Sequence, residues 1–200
     1  MFKKGLFLSL LFCFSVKHSF SQDTDNGGLT TGLTKFVTWI SKIDKVLLGI
    51  DSKENLNALD RNLGYTSLYI DQIATGKVLL AKEISDLKID KDDNKHIPSL
   101  SNRIDQIVAS INELNTYLKQ IKSLLSQTDQ KEIDSIVLEI EQGFQYRKLY
   151  FLKDIKEAIY KKNIPYDKIM KEGEESKKIA DNALKEIKVA KEKIIAVLTK

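Results

Sequence analysis

A strict repeat of leucine and isoleucine between residues 100 and 125 constrains the fold of this chain more than any other feature. In LSNRIDQIVASINELNTYLKQIKSLL the apolar residues alternate at steps of four and three: Leu100, Ile104, Ile107, Ile111, Leu114, Leu118, Ile121 and Leu125. These steps place every member on one side of an α-helix. The repeat therefore predicts a long helix whose stripe is buried, either by other helices of the same chain or by a second copy of it.

Four further segments carry helical stripes and can supply those partners. The expected helices span about Thr34–Gly49, Ser52–Leu87, Pro98–Gln127, Asp129–Lys162 and Tyr166–Val197. Ser52 is the predicted N-cap of the second helix, and Asp129-x-x-Glu132 is the predicted capping signal of the fourth. The polar stretch IDKDDNKHIP is predicted to be a loop, with Pro98 in the first turn of the third helix.

The fold class that follows is all-α, with residues 34–200 forming one elongated antiparallel helical bundle with coiled-coil-like packing and no sheet. No segment shows sustained period-two alternation, and short connections force consecutive helices to run antiparallel. We expect a monomer, because stripes on every helix can bury one another within one chain. A coiled-coil dimer zipped along residues 100–125 is the alternative.

The first 21 residues have the form of a secretory signal peptide. MFKKGLFLSLLFCFSVKHSFSQ begins with two lysines, continues with an apolar run of 12 residues from Gly5 to Val16, and ends with small residues before Gln22. The run is shorter than the roughly 20 residues that span a bilayer. We expect cleavage near Ser21/Gln22, export to the periplasm or the medium, and a flexible tail over residues 22–33, which are rich in glycine and threonine.

Cleavage of that segment changes the charge and the cysteine content. Loss of three lysines lowers Lys+Arg from 32 to 29 against 28 Asp+Glu, so the formal charge falls from +4 to +1. A near-neutral exported chain lacks the basic surface that nucleic-acid binders display, so no nucleic acid is expected as a partner. Cys13 is the only cysteine, so the mature chain has no disulfide and no thiol nucleophile.

The sequence offers few residues for catalysis or metal binding. His96 is the only histidine outside the signal segment, which leaves no basis for a supported triad or a multi-histidine zinc site. We expect no enzyme activity and no cofactor. Asp90, Asp92 and Asn94 match the first three ligand positions of a calcium-binding EF-hand loop, but Lys95 and Ser101 occupy the glycine and glutamate positions. They form a weak calcium candidate.

Aromatic residues supply the candidate partner-binding surface. In GFQYRKLYFLKDI, residues 143–155, the apolar side chains spread around most of a helix, so one face can pack in the bundle and another remains. Aromatic residues and arginine are enriched in interfaces. The candidates are Phe144, Tyr146, Arg147, Lys148, Tyr150, Phe151 and, in the first helix, Trp39. The alternative is that this helix is buried on two sides of the bundle.

These features favour an exported, non-catalytic structural or adaptor protein of a bacterial cell envelope, with another envelope protein as its partner. In signal, length and helix content the chain is similar to the small secreted helical subunits of type IV secretion and conjugation machines, which by analogy of form implies a minor component of such an apparatus. One alternative is a membrane-active helical protein, a pore-former or lipid binder, although membrane contact is not favoured because no long apolar run follows Ser21. Another is an exported immunity or inhibitor protein.

Overall fold

Helices account for almost all of the structure. A computed structural model of the chain describes residues 29–87, 93–144, 157 and 166–199. These residues are about 91% helical and contain no strand, which confirms the predicted all-α fold. The helices are α1 (Leu29–Ile40), α2 (Ile43–Leu47), α3 (Lys53–Asp86), α4 (Asp93–Lys122), α5 (Gln127–Phe144) and α6 (Tyr166–Leu198).

The helices α3 and α4 form an antiparallel pair. Near the middle of the pair the Ser110 hydroxyl donates to Gln72 Oε1 at 3.2 Å. Towards the end of α3, Arg103 Nε lies 3.5 Å from Glu83 Oε2. Residue numbers on α4 thus fall as those on α3 rise, which is the direction that a short connection between two helices requires.

The described helices close into a ring. α3 lies between α4 and α6, α4 also contacts α5, α1 lies between α5 and α6, and α2 rests against α6. Each helix turns its apolar stripe towards the inside of this ring, so the core is shared by helices that are distant in sequence. The predicted antiparallel order holds for the pairs α3–α4, α4–α5, α1–α5 and α3–α6, whereas the contacting helices α1 and α6 run in the same direction.

The repeat at residues 100–125 is buried within the chain. Its eight members are no more than 7% exposed: Leu100, Ile104, Ile107, Ile111, Leu114, Leu118, Ile121 and Leu125. Most of them belong to one apolar cluster that also includes residues of α1, α2, α3, α5 and α6. The stripe therefore packs against helices of its own chain.

A second, smaller cluster closes one end of the bundle. Ile84 and Leu87 at the end of α3 pack with Leu100 of α4, and Tyr166 and Ile169 at the start of α6 cover them. Three helix ends thus share one apolar cluster, which fixes the positions of α3, α4 and α6 relative to one another along the bundle axis.

Serine side chains cap the N-termini of two helices. The residue before α3, Ser52, has an extended backbone (φ −126°, ψ 144°), and its Oγ accepts the backbone N–H of Asn55 at 3.1 Å. This contact confirms the predicted N-cap. For α5 the predicted signal is wrong: Ser126 Oγ accepts the N–H of Asp129 at 3.4 Å and donates to its carboxylate at 2.6 Å. The capping signal is Ser126-x-x-Asp129, one turn before Asp129-x-x-Glu132.

The first predicted helix is two helices, and it begins earlier than expected. α1 begins at Leu29 rather than Thr34, so residues 29–33 of the predicted tail are helical, and Leu33 is buried. The stripe that starts at Leu33 stabilises this turn despite its glycine and threonines. α1 ends at Ile40, where the Lys42 N–H bonds the Trp39 carbonyl three residues back and tightens the turn before α2.

The third predicted helix also begins earlier. α4 starts at Asp93, so part of the predicted loop is helical, and Pro98 lies inside the helix rather than in its first turn. Pro98 is exposed, and Leu100 continues the buried stripe immediately after it. The missing proline N–H removes one helix hydrogen bond, and burial of the stripe offsets this loss.

Candidate functional site

Three tyrosine rings stack on one another between α3 and α4. The ring of Tyr117, on α4, lies 4.5 Å from that of Tyr65 between centroids, with 19° between the ring planes. Tyr69 is the second ring in contact with Tyr117: the two centroids are 5.7 Å apart, and the ring planes differ by 17°. Nearly parallel rings at these distances make favourable contacts. The stack therefore adds a side-chain contact between two helices that also pack through their cores.

The sequence builds this stack from helix spacing and register. Tyr65 and Tyr69 are four residues apart on α3, so their rings project from the same side of the helix, one turn apart. Tyr117 of α4 enters the space between them. The Ser110 to Gln72 hydrogen bond holds the antiparallel register that brings Tyr117 to this height.

The stack is open to solvent on its outer side. Tyr65 is 41% exposed, and Leu68, one turn further along α3, is 48% exposed. Tyr69 and Tyr117 are half-buried. We call these four residues, Tyr65, Leu68, Tyr69 and Tyr117, the tyrosine face. Single exposed apolar side chains are common on protein surfaces, but exposed aromatic rings next to an exposed leucine form a surface suited to contact.

The surroundings of the Tyr117 phenol favour its neutral form. Desolvation by its neighbours raises the pKa of Tyr117, and the nearby Tyr69, Tyr65 and Glu113 raise it further. The Tyr117 hydroxyl is consequently protonated at neutral pH and is not activated as a nucleophile. The chemistry that this face offers is aromatic contact together with hydrogen bonding.

The predicted interface residue Trp39 lies in the core instead. Its side chain is 1% exposed and packs against Phe36 with ring centroids 5.8 Å apart. The prediction that Trp39 contacts a partner is wrong in this fold, because α1 is short and lies between α5 and α6, which leaves its large residues facing inward. A single tryptophan in a sequence does not indicate which side of a helix is covered.

Most of the aromatic segment 143–155 lies outside the described residues. Tyr146, Arg147, Lys148, Tyr150 and Phe151 lie outside the described residues. Phe144 is the last residue of α5, and its side chain is also outside them. The docking surface predicted there stays a prediction.

The calcium candidate is likewise only partly within the described residues. Asn94 lies in the first turn of α4 and is exposed, whereas Asp90 and Asp92 fall outside the described ranges. Within residues 29–87, 93–144 and 166–199, no group of three or more histidine, cysteine, aspartate or glutamate side chains is arranged to hold a metal ion.

Sequence reasoning missed the tyrosine face. Tyr65 and Tyr69 stand apart from the apolar stripe of α3, which passes from Leu63 to Ile70. Tyr117 precedes Leu118 of the α4 repeat without belonging to it. The available signal was the pair of tyrosines at i and i+4, but their partner on α4 follows only from the register between two helices, which periodicity within one helix does not contain.

Comparison with known proteins gives this chain no relatives: no protein-family model, no curated protein and no solved structure matches it. Among the helices of the described ranges, none combines the length and the apolar character needed to cross a membrane.

Proposed function

We propose that this chain is an exported, non-catalytic helical protein of a bacterial cell envelope that serves as an adaptor or structural component and binds another protein through its tyrosine face. The observation that carries the proposal is the exposed stack of Tyr65, Tyr69 and Tyr117 beside Leu68. The proposal of export rests on residues 1–21, which have the composition of a signal peptide.

The geometry of the face suits protein contact. Tyrosine rings provide a large contact area with little side-chain entropy to lose, and residues of this type carry a large share of binding energy in interfaces. Here the rings are already ordered by stacking on each other. The tyrosine side chains therefore lose little conformational entropy when a partner binds. The partner that fits is a protein surface presenting apolar side chains together with carbonyl or carboxylate acceptors for the phenols.

The rigidity of α3 and α4 supports an adaptor role. The two helices are joined below the face by the Ser110 to Gln72 hydrogen bond and, further along, by Arg103 and the Ser99 hydroxyl, both of which contact the Glu83 carboxylate. A surface carried on two helices that are fixed relative to each other presents the same shape to every partner molecule.

Site-specific photo-cross-linking in living cells tests the proposal. A photoreactive amino acid replaces Leu68 in one strain and Leu138 in another; Leu138 is 53% exposed on α5 and lies outside the tyrosine face. We expect a discrete protein adduct from position 68 in the envelope fraction, a much weaker adduct from position 138, and loss of the first when Tyr65 is also changed to serine.

The proposal is wrong if positions 68 and 138 give the same adducts, or if neither gives one while the protein is present in the envelope. Circular dichroism of the purified Tyr65→Ser protein provides the control for folding. Recovery of the chain from the cytoplasm, with residues 1–21 intact, would contradict the proposed export independently of the interface.

A further inference from the structure

We infer that one-electron oxidation joins Tyr65 to Tyr117 by a carbon–carbon bond, so that the tyrosine face is also a site of covalent modification that ties α3 to α4. The ring centroids of this pair are 4.5 Å apart and the planes differ by 19°. The inference depends on this geometry alone and does not require the proposed binding function.

Stacking provides the orbital arrangement that the coupling needs. When a phenol loses an electron and a proton, the unpaired electron occupies an orbital perpendicular to the ring and has high density on the carbons ortho to the oxygen. Two such rings lying face to face present these orbitals to each other, and a small rotation about the side-chain torsions aligns one ortho carbon with another. The centroid of Tyr69 is 5.7 Å from that of Tyr117, so Tyr65 is the better placed partner.

The oxidant is a haem peroxidase charged with hydrogen peroxide, and the reaction balances with it. The oxidant takes one electron from each phenol, and each phenolic proton is released. The two phenoxyl radicals form one bond between their ortho carbons, after which the hydrogens on those carbons move to the oxygens and restore both phenols. The protein loses two hydrogen atoms in total, and these reduce one hydrogen peroxide to two water molecules.

The exposure of Tyr65 gives an oxidant access to this pair. Tyr65 is 41% exposed, so an enzyme-sized oxidant can approach its edge, and Tyr117 lies in contact with it. Trp39, which would compete for one-electron oxidation, is buried in the core. Tyr166 is partly covered in the cluster at the end of the bundle.

The cross-link changes the mechanics of the bundle. Residues 65 and 117 lie on different helices, so a bond between them closes a loop that contains the end of α3 and the start of α4. A covalent loop restricts the unfolded chain, which raises the stability of the folded state relative to it. The oxidised protein should therefore unfold at a higher urea concentration than the unoxidised protein.

The test uses the full chain at low concentration, treated with horseradish peroxidase and hydrogen peroxide. We expect the blue fluorescence of dityrosine, a band of monomer mass on a denaturing gel, and by mass spectrometry a peptide pair joining residues 65 and 117 that lacks two hydrogen atoms. Tyr65→Phe and Tyr117→Phe keep a ring in the stack but cannot form the phenoxyl radical, and each should abolish this pair. Tyr69→Phe and Tyr166→Phe should retain it.

Three results would overturn the inference. One is the absence of the linked peptide under conditions that couple free N-acetyltyrosine. Another is a product that consists mainly of cross-links between molecules. A third is the same pattern of linked peptides from the native chain and from the chain oxidised in urea, because coupling would then not depend on the stack. Circular dichroism of the phenylalanine variants verifies that a lost cross-link does not reflect a lost fold.

Discussion

Helix α3 meets its two main neighbours through contacts that differ in the side chains they include. Towards α6 the partner residues are small: Gly173, Ser176, Ala180 and Ala183 are all buried along one side of α6. A Cβ atom placed on Gly173 would lie 3.3 Å from the Cβ of Ala81. Towards α4 the contact includes the three stacked tyrosine rings, whose outer edges reach solvent.

The difference separates the α6 contact of α3 from the tyrosine face, for which we propose a binding role. Small residues let the backbones of α3 and α6 come close. Gly76 of α3 permits a close approach to α4 as well, since a Cβ atom there would lie 2.8 Å from Cγ1 of Ile107. The tyrosine part of the α3–α4 contact leaves Tyr65 exposed and Tyr69 and Tyr117 half-buried. We expect substitutions at the α6 contact to affect stability first and substitutions at the α4 contact to affect binding.

The largest effect is expected from enlarging the small contact. Gly173→Leu adds four carbons where even a Cβ approaches Ala81 at 3.3 Å and the backbone oxygen of Lys77 at 3.6 Å. Forcing these atoms into the α3–α6 contact should lower the free energy of unfolding by about 3 kcal/mol, measured by urea denaturation. Val189→Leu on the exposed side of α6 is the control and should change it by less than about 0.5 kcal/mol. Equal effects of the two substitutions would refute the close contact.

A smaller loss is expected from opening the tyrosine stack. Tyr117→Ala removes both ring contacts, each of which contributes roughly 0.5 to 1.5 kcal/mol beyond burial, so the free energy of unfolding should fall by about 2 kcal/mol. Tyr117→Phe keeps the ring and should cost less than about 0.5 kcal/mol by the same estimate. The stacking explanation fails if denaturation experiments find phenylalanine as costly as alanine.

A gain is expected at a polar residue of α3 that faces the core between the two contacts. Thr66 is fully buried, and its Oγ1 has no hydrogen-bond partner among the described residues. Thr66→Val replaces the hydroxyl with a methyl group of similar size and removes an uncompensated buried dipole, so the free energy of unfolding should rise by about 1 kcal/mol. Thermal and urea unfolding measure this gain, and Thr75→Val on the exposed side of α3 is the matched control. A loss of stability in the Thr66 variant would indicate that the hydroxyl is satisfied.

These contacts were not equally accessible to sequence reasoning. The α4 repeat and the Ser52 cap follow from spacing within single helices, and the structure bears out both of them. The break after Ile40 was missed because buried Phe36, Ile40 and Ile43 keep a helical spacing across it. A turn that preserves the stripe leaves no trace in the periodicity.

The tyrosine face and the burial of Trp39 depend on relations between helices. Which residue of α4 stands opposite Tyr65 is fixed by the antiparallel register, and that register depends on contacts such as the one between Gln72 and Ser110. Trp39 is covered because α1 lies between α5 and α6. Neither fact is encoded in a local pattern, so the sequence alone directed attention to the aromatic segment 143–155 instead.

The smallest expected effect is a change in the free energy of unfolding with pH, to which both contacts contribute. At the α6 contact, hydrogen bonds from Lys177 to Asp71 and Asp181, at 3.0 Å and 3.1 Å, raise the pKa of Lys177 above its ordinary value of 10.5. The folded state therefore holds this proton more tightly than the unfolded state. The resulting stabilisation is fully present below pH 10.5 and is lost as the pH rises through the folded-state pKa.

Because Lys177 is 37% exposed, its contribution should be less than about 1 kcal/mol. Tyr117 responds in the same direction at the α4 contact: its pKa is raised above 10.0, so the folded state loses stability as alkali ionises the phenol. Urea denaturation at neutral pH and at a pH above the ordinary lysine pKa should show that the free energy of unfolding declines at the higher pH. Lys177→Met and Tyr117→Phe should each make this decline smaller, and the double variant should make it smaller still. If the decline is unchanged in Lys177→Met, the ion pair between Lys177 and Asp71 does not stabilise the contact between α3 and α6.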